Sequence, residues 1–295
     1  MIDAETQLYG VFGNPVRHSL SPIIHNGAFQ RMGLNAAYLA FEVNNLEEAV
    51  RGIRGLGIRG VSVTIPFKTQ IIPFLDQLDE VAIKIQAVNT ICNEGGKLTG
   101  YNTDWSGALG ALEEKVDLTG KRVFLLGAGG AARAIAFGLK ERGCHVFIAS
   151  RSPKKAAALA EELGMVHRPF PFAGRLDADV LVNATSAGMS PSDEESPVPK
   201  EVLDKRITVM DIVYKPLKTK LLREAEERGC RTIDGLVMLA RQGAAQVEIW
   251  TGKKPEIKEI KEDLRRALNQ HSAISYQLSA LSNQERKTTI DGSML

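Results

Sequence analysis

Short runs of branched and aromatic residues alternate with longer amphipathic stretches along most of this chain, and that alternation points to the α/β class. Tyr9-Gly-Val-Phe-Gly13 reads as a buried strand. Ser21-Pro22 then opens a helix, with Ser21 as N-cap, that ends near Gly33. Ala37 to Val43 is a second strand, Leu46 to Leu56 a helix closed by Gly55 and Gly57, and Gly60 to Ile65 a third strand stopped by Pro66. Ala87 to Asn93 and Leu98 to Asn102 flank Glu94-Gly-Gly96, a hairpin signal, so this first unit is expected to hold a mixed sheet.

After a helical stretch from Trp105 to Lys115, β-α units follow one another: strands at Lys121–Leu126, His145–Ser150, Asp179–Asn183, Ile207–Ile212 and Arg231–Asp234. Helices run up to Arg142, over Pro153–Leu163 and over Leu217–Arg228. Such units imply a doubly wound parallel sheet. Met238 to Trp250 is a last apolar helix, and from His271 the chain turns polar, with five serines in 25 residues and at most a short helix over 273–281. The expected division is a discontinuous substrate domain (1–104 and 239–270), a nucleotide-binding domain of Rossmann type (105–238) and a polar extension (271–295).

Composition narrows the function. Of 295 residues, 44% are hydrophobic and 24% charged, which excludes disorder as the main state, and the 27 glycines have no period of three. The net charge of +2 leaves no basic face for nucleic acid. The acidic, polar N-terminus is no signal peptide. The apolar stretch Val123–Leu139 is interrupted by Arg133 and four glycines, so no membrane span is expected. Three scattered cysteines without a CxxC pair suit a reducing compartment, the cytoplasm. The five histidines show no metal spacing and no G-x-S-x-G elbow occurs, so a metal centre and acyl transfer both lose ground.

Five motifs carry chemistry. Gly127-Ala128-Gly129-Gly130-Ala131-Ala132 fits G-x-G-x-x-[GA] between a strand and a helix, where backbone can approach a pyrophosphate. At the end of the next strand stand Ser150, Arg151, Ser152, Lys154 and Lys155, with no acid between Ile148 and Ala160. A guanidinium there suits the 2′-phosphate of NADP better than the free ribose hydroxyls of NAD, although Ser152-Pro153 is also an ordinary helix start. Val63-Thr64-Ile65-Pro66-Phe67-Lys68 ends a strand, and its lysine is either a proton donor in a cleft or a solvated surface residue.

Gly100-Tyr-Asn102-Thr-Asp104 precedes a helix, which Asp104 could simply cap; equally, its carboxylate could hold a lysine. In His18-Ser19-Leu-Ser21-Pro22, two hydroxyls at a helix mouth could bind a carboxylate. Asn183-Ala-Thr185-Ser186 follows a strand, and Gln242 is a polar amide on an apolar helix, in need of a partner. Gly60, Gly100, Gly188 and Gly235 read as strand-end glycines facing a cleft.

Together with Ala87-Val-Asn89-Thr90, Asp211-Ile-Val-Tyr214-Lys-Pro216 and Gly243 after Gln242, these motifs resemble the shikimate dehydrogenase family from about Tyr9 to Lys253. The resemblance implies reduction of 3-dehydroshikimate to shikimate with NADPH, in aromatic amino-acid biosynthesis. It implies that Lys68 and Asp104 are the catalytic pair and that Ser19 and Ser21 hold the substrate carboxylate, with Tyr214 nearby. Thr64, Asn89 and Gln242 would bind ring hydroxyls. The glycine loop from Gly127 to Ala131, with Ser150, Arg151, Ser152 and Lys155, would hold the phosphates, while Thr185, Met210, Ile212, Gly235 and Met238 border the nicotinamide half. The expected partners are NADP and a small-molecule substrate, in a monomer or homodimer. Two departures stand out: Ser62 where the family usually has Asn, and Ser150 and Ser152 where it often has Asn and Thr. Quinate is a rival substrate, and a nucleotide-sensing module or a methyltransferase a rival class. Retention of both Lys68 and Asp104 weighs against a sensing module, and Arg151 in place of an acid against a methyltransferase.

Overall fold

In the computed structural model the described residues are 2–170 and 176–270. They form two six-stranded sheets. The first contains β1 (Gln7–Gly13), β2 (Ala36–Glu42), β3 (Gly60–Val63), β4 (Gln77–Leu78), β5 (Thr90–Glu94) and β6 (Lys97–Tyr101), in the order β2-β1-β3-β5-β6-β4. β1 is parallel to β2 and β3, whereas β5 runs antiparallel to β3 and β6, so the sheet is mixed as expected. The second sheet holds β7 (Arg122–Leu126), β8 (His145–Ala149), β9 (Val166–His167), β10 (Val180–Asn183), β11 (Thr208–Asp211) and β12 (Arg231–Ile233), all parallel, in the order β12-β11-β10-β7-β8-β9.

Each sheet has a pair of neighbouring parallel strands whose outgoing connections leave to opposite sides, and at such a point two neighbouring loops diverge and leave a crevice. In the second sheet the crevice lies between β7 and β10. A Cβ on Gly127, just past β7, would stand 2.8 Å from the Ala184 carbonyl oxygen just past β10. In the first it lies between β1 and β3. A Cβ on Gly13 would stand 2.5 Å from Thr64 Cγ2, and the Asn14 N–H donates to the Ile65 carbonyl at 3.0 Å.

The helices of the first unit are α1 (Ser21–Arg31), α2 (Leu46–Gly55) and α3 (Glu80–Ile85), with Asn45 and Asp79 capping the last two through their side chains. Two helices connect the sheets, α4 (Asp104–Glu113) outward and the long helix α8 (Gly235–Thr251) back. They cross at Gly107, where a Cβ would sit 2.9 Å from Gln242 Cβ and 3.0 Å from its backbone nitrogen. The Asp234 carboxylate caps α8 by accepting from the N–H groups of Leu236 and Val237, which explains a start three residues before the expected Met238. The second sheet is flanked by α5 (Gly130–Glu141), α6 (Pro153–Leu163) and α7 (Lys220–Glu227), and residues 257–270 form a final helix, α9. Among the described residues no helix is long and apolar enough to cross a membrane. The extension beyond residue 270 lies outside them.

Two glycine readings are corrected. Gly60 opens β3 under the Trp250 indole, 2.4 Å from where a Cβ would be, and Gly100 lies inside β6 against Leu75, Leu78 and Val88. Both make room for packing side chains rather than face a cleft.

Candidate active site

Lys68 follows β3 and Asp104 opens α4, thirty-six positions apart, yet Lys68 Nζ donates to Asp104 Oδ2 at 2.5 Å. Their side chains are 16% and 5% exposed, so the pair is largely out of water. Asp104 therefore does not cap its helix. Thr103 holds the N-cap position, and the carboxylate instead accepts a second bond from Asn89 Nδ2 (2.9 Å) through Oδ1. Asn89 Nδ2 also lies 3.4 Å from Gln242 Oε1, while Gln242 Nε2 donates to the Leu239 carbonyl at 2.9 Å. A desolvated ion pair contributes little net stability. What it does supply is an ammonium fixed in place with a carboxylate beside it.

Ser21 is corrected in the same way. It is the first residue of α1, Leu20 occupies the N-cap position, and no side chain caps the helix. Ser19 Oγ accepts from the Ser21 N–H at 3.2 Å and donates to Ser21 Oγ at 3.1 Å, so the two hydroxyls are held together at the helix mouth. Thr64, half-buried, lies across the same crevice. Tyr214 packs against the cluster containing Leu20 and Ile24, and burial raises its phenol above the ordinary value.

The glycine loop meets this cluster directly: a Cβ on Gly130 would lie 2.9 Å from Lys68 Cβ. The lysine stem therefore crosses the N-terminus of α5. Gly127 adopts φ +121, a conformation side chains rarely take, and Gly129 at the N-cap has open space where its Cβ would be. No side chain caps α5, which leaves its first N–H groups without a side-chain acceptor. A cavity of about 550 Å³ past the ends of β7, β8 and β10 is lined by Ser150, Arg151, Thr185, Ser186 and Ala187 among others, whereas Ser152 and the glycine loop from Gly127 to Ala131 do not line it. Ser150 Oγ accepts from the Ser152 N–H (3.1 Å), shaping the turn that presents the exposed Arg151.

The other expected nucleotide residues do not line this cavity. Lys154 and Lys155 are exposed on α6 and do not line the cavity. Met210 is fully buried in the core cluster that includes Leu125 and Ile135, so its side chain packs rather than lines a site. Gly235 is closed over by the Ile212 carbonyl oxygen, 2.4 Å from a Cβ position, Met238 is buried, and Ile212 is partly buried.

Two buried groups give the protein opposing pH dependences. Burial lowers the His25 imidazole from 6.5 to about 3. The unfolded ring gains a proton below 6.5 that the folded ring refuses, so stability is lost as pH falls from 6.5 toward about 3, by up to about 1.4 kcal/mol per pH unit. Asp211, pushed up by burial to about 6, has the opposite sign: stability is lost as pH rises from 3.8 through about 6. Between about pH 7 and about pH 4.5 the two oppose each other, and urea denaturation of a His25 variant at both values separates them. His25→Gln should lose less stability between these conditions than the unaltered protein; equal losses contradict this assignment.

The chain matches three family descriptions: the shikimate dehydrogenase substrate-binding domain over residues 11–91, shikimate/quinate 5-dehydrogenase over 110–214, and the shikimate 5′-dehydrogenase C-terminal domain over 235–265. It is 50% identical over 262 residues to the NADP(+) shikimate dehydrogenase of Thermococcus kodakarensis, covering 87% of this chain and 95% of that protein. The chain belongs to the shikimate dehydrogenase family. In structure it resembles the Thermus thermophilus shikimate 5-dehydrogenase in complex with NADP(H) and shikimate (TM-score 0.84, 40% identity, 89% of this chain and 100% of the other). The 5-ketofructose reductase of a Gluconobacter strain, in ligand-free form, is also similar (TM-score 0.81, 33% identity, 90% and 100% covered), so this fold alone does not fix the substrate.

Sequence reasoning missed Tyr38, Gln246 and the role of Thr90. The signal was available for Gln246: it lies four residues after Gln242 on the same apolar helix, a second buried amide in need of partners.

Proposed function

We propose that this chain is an NADP-dependent shikimate dehydrogenase that reversibly reduces 3-dehydroshikimate to shikimate in aromatic amino-acid biosynthesis. The observation that carries this reading is the Lys68–Asp104 pair lying across the mouth of α5, between the crevices of the two sheets. Bound NADPH supplies the hydride. The residues at hand fit that cofactor. The uncapped α5 terminus, the left-handed Gly127 and the open side of Gly129 suit a pyrophosphate, and Arg151 with Ser150 and Ser152 suits a 2′-phosphate.

As the substrate carbonyl takes the hydride, the oxygen gains negative charge and needs a proton from a donor within about 3 Å. Lys68 Nζ is that donor. Asp104 fixes the ammonium and accepts from a neighbouring ring hydroxyl. Asn89, Gln242 and Thr64 read the hydroxyls, and a ligand lacking one of them leaves a buried polar group unpaired. Ser19 and Ser21 bind the carboxylate, with Tyr214 beside them. The side chain of Thr185 and the backbone at Ile212, Gly235 and Met238 border the nicotinamide.

We assign residues 1–104 and 239–270 to the substrate domain and 105–238 to the NADP domain, a division that the two separate sheets support. The groups invoked all come from one chain, which fits a monomer or homodimer. The free cysteines Cys92, Cys144 and Cys230 fit the cytoplasm. The test is initial-rate measurement with shikimate and quinate, each with NADP and NAD, followed by nicotinamide absorbance. Shikimate with NADP should be the fastest pair. Turnover of neither acid removes the enzyme reading, and faster turnover of quinate replaces the substrate.

A further inference from the structure

A line of buried polar side chains runs behind the catalytic pair. Tyr38 on β2 contacts Ser62 on β3 (2.6 Å), Ser62 contacts Gln246 on α8 (2.8 Å), and Gln246 contacts Thr90 on β5 (2.9 Å). Thr90 contacts Asn89 (2.7 Å), which reaches Asp104 on α4 (2.9 Å). Every side chain in the line is at least nine-tenths buried.

Two backbone groups fix which way each bond points. The Asn89 carbonyl can only accept, so the Gln246 atom 3.0 Å from it is the amide nitrogen. That nitrogen also donates to Thr90 Oγ1, leaving the single Thr90 proton for Asn89 Oδ1. The Thr103 N–H donates to Asn89 Oδ1 at 2.8 Å, which confirms that atom as oxygen and turns the Asn89 amide nitrogen toward Asp104. In the other direction, Gln246 Oε1 accepts from Ser62, so Ser62 must accept from the Tyr38 phenol.

The same oxygen lies 3.1 Å from His25 Nε2, which therefore carries the ring proton and leaves a bare Nδ1, the one atom of that ring without a partner. All the donors point one way, toward the carboxylate that holds Lys68. Aligned bonds polarise one another, and the gain is greatest where they end on a charge.

We propose that Tyr38, Ser62, Gln246 and Thr90 are positioning residues, a one-directional hydrogen-bond relay that runs from Tyr38 to Asp104 and holds Asn89 and the Asp104–Lys68 pair in reactive register. The proposal rests on the functional reading above. It also gives Ser62 a purpose: a short hydroxyl at this place is completed by an amide that α8 brings across the sheet.

The test compares Thr90→Val, which keeps shape and deletes the hydroxyl, with Thr90→Ser, which keeps the hydroxyl. Thr90→Val should lower kcat for shikimate roughly five- to tenfold with KM changed less than about twofold, and Thr90→Ser should stay within about twofold of the unaltered enzyme. Unchanged kcat in Thr90→Val, or equal losses in both variants, overturns the relay. If Thr90→Val does not fold, Tyr38→Phe decides. It removes one oxygen and keeps the stack on His25 (ring centroids 4.2 Å), so kcat should fall about threefold at an unchanged melting temperature. An unchanged kcat there overturns the relay as well. The unaltered enzyme is run alongside, so a chain that turns over no shikimate fails the functional reading first, whatever the variants do.

Discussion

Lys68→Ala is expected to lower kcat at least ~100-fold while changing the KM for shikimate only slightly. The reason lies in when the ammonium is needed. The ground-state carbonyl is neutral, and charge gathers on its oxygen only as the hydride arrives, so the donor acts on the transition state and not on binding. Alanine also removes the stem that crosses Gly130 and leaves the Asp104 carboxylate, 5% exposed, without its cation. An uncompensated buried charge can cost ~3 kcal/mol or more in stability, enough to be mistaken for a catalytic effect. Lys68→Met removes the first cause because it keeps the stem, and the melting temperature reads the second, which Ala and Met share. The same loss of kcat in Met and Ala variants, at melting temperatures that show the protein folded, assigns the effect to the ammonium. A Lys68→Met variant with unchanged kcat removes the lysine from the chemistry.

The second large effect falls on cofactor choice. Arg151→Ala should raise the KM for NADP about 10- to 100-fold and leave the KM for NAD nearly unchanged. A hydrogen bond between charged groups contributes roughly 1.5–3 kcal/mol, or about 10- to 150-fold. Arg151 is exposed, so solvent screening places the loss toward the lower end. For the same reason the penalty should shrink as ionic strength rises. Kinetics with both nucleotides at low and high salt check this. Equal losses for NADP and NAD would show that the guanidinium touches a part the two nucleotides share.

Much of this was legible in the sequence, and the reason is local. Strands buried on both faces, such as Val123–Leu126, announce themselves as unbroken apolar runs, and the glycine loop needs only strand and helix around it to be read. Pairing across the chain is a different matter. Spacing left Lys68 open between surface and site, because only the juxtaposition of β3 and α4 brings it to Asp104. Glycines in strands misled at Gly60 and Gly100, since room for a neighbour's side chain and approach to a ligand leave the same mark. The two-residue strands β4 and β9 are too short to show a period at all. Ser21 carried a capping pattern, yet its own N–H is satisfied by Ser19 and the N-cap place went to Leu20.

The central claim is that a hydride passes from NADPH to the substrate carbonyl beside Lys68. It is tested most directly by mixing the enzyme with 3-dehydroshikimate and NADPH that carries deuterium at the transferable nicotinamide position, then weighing the product. The expected result is shikimate with a single deuterium on its new carbinol carbon, formed at least ~100-fold more slowly by Lys68→Met. Shikimate without deuterium, or no shikimate from the unaltered enzyme, would contradict it.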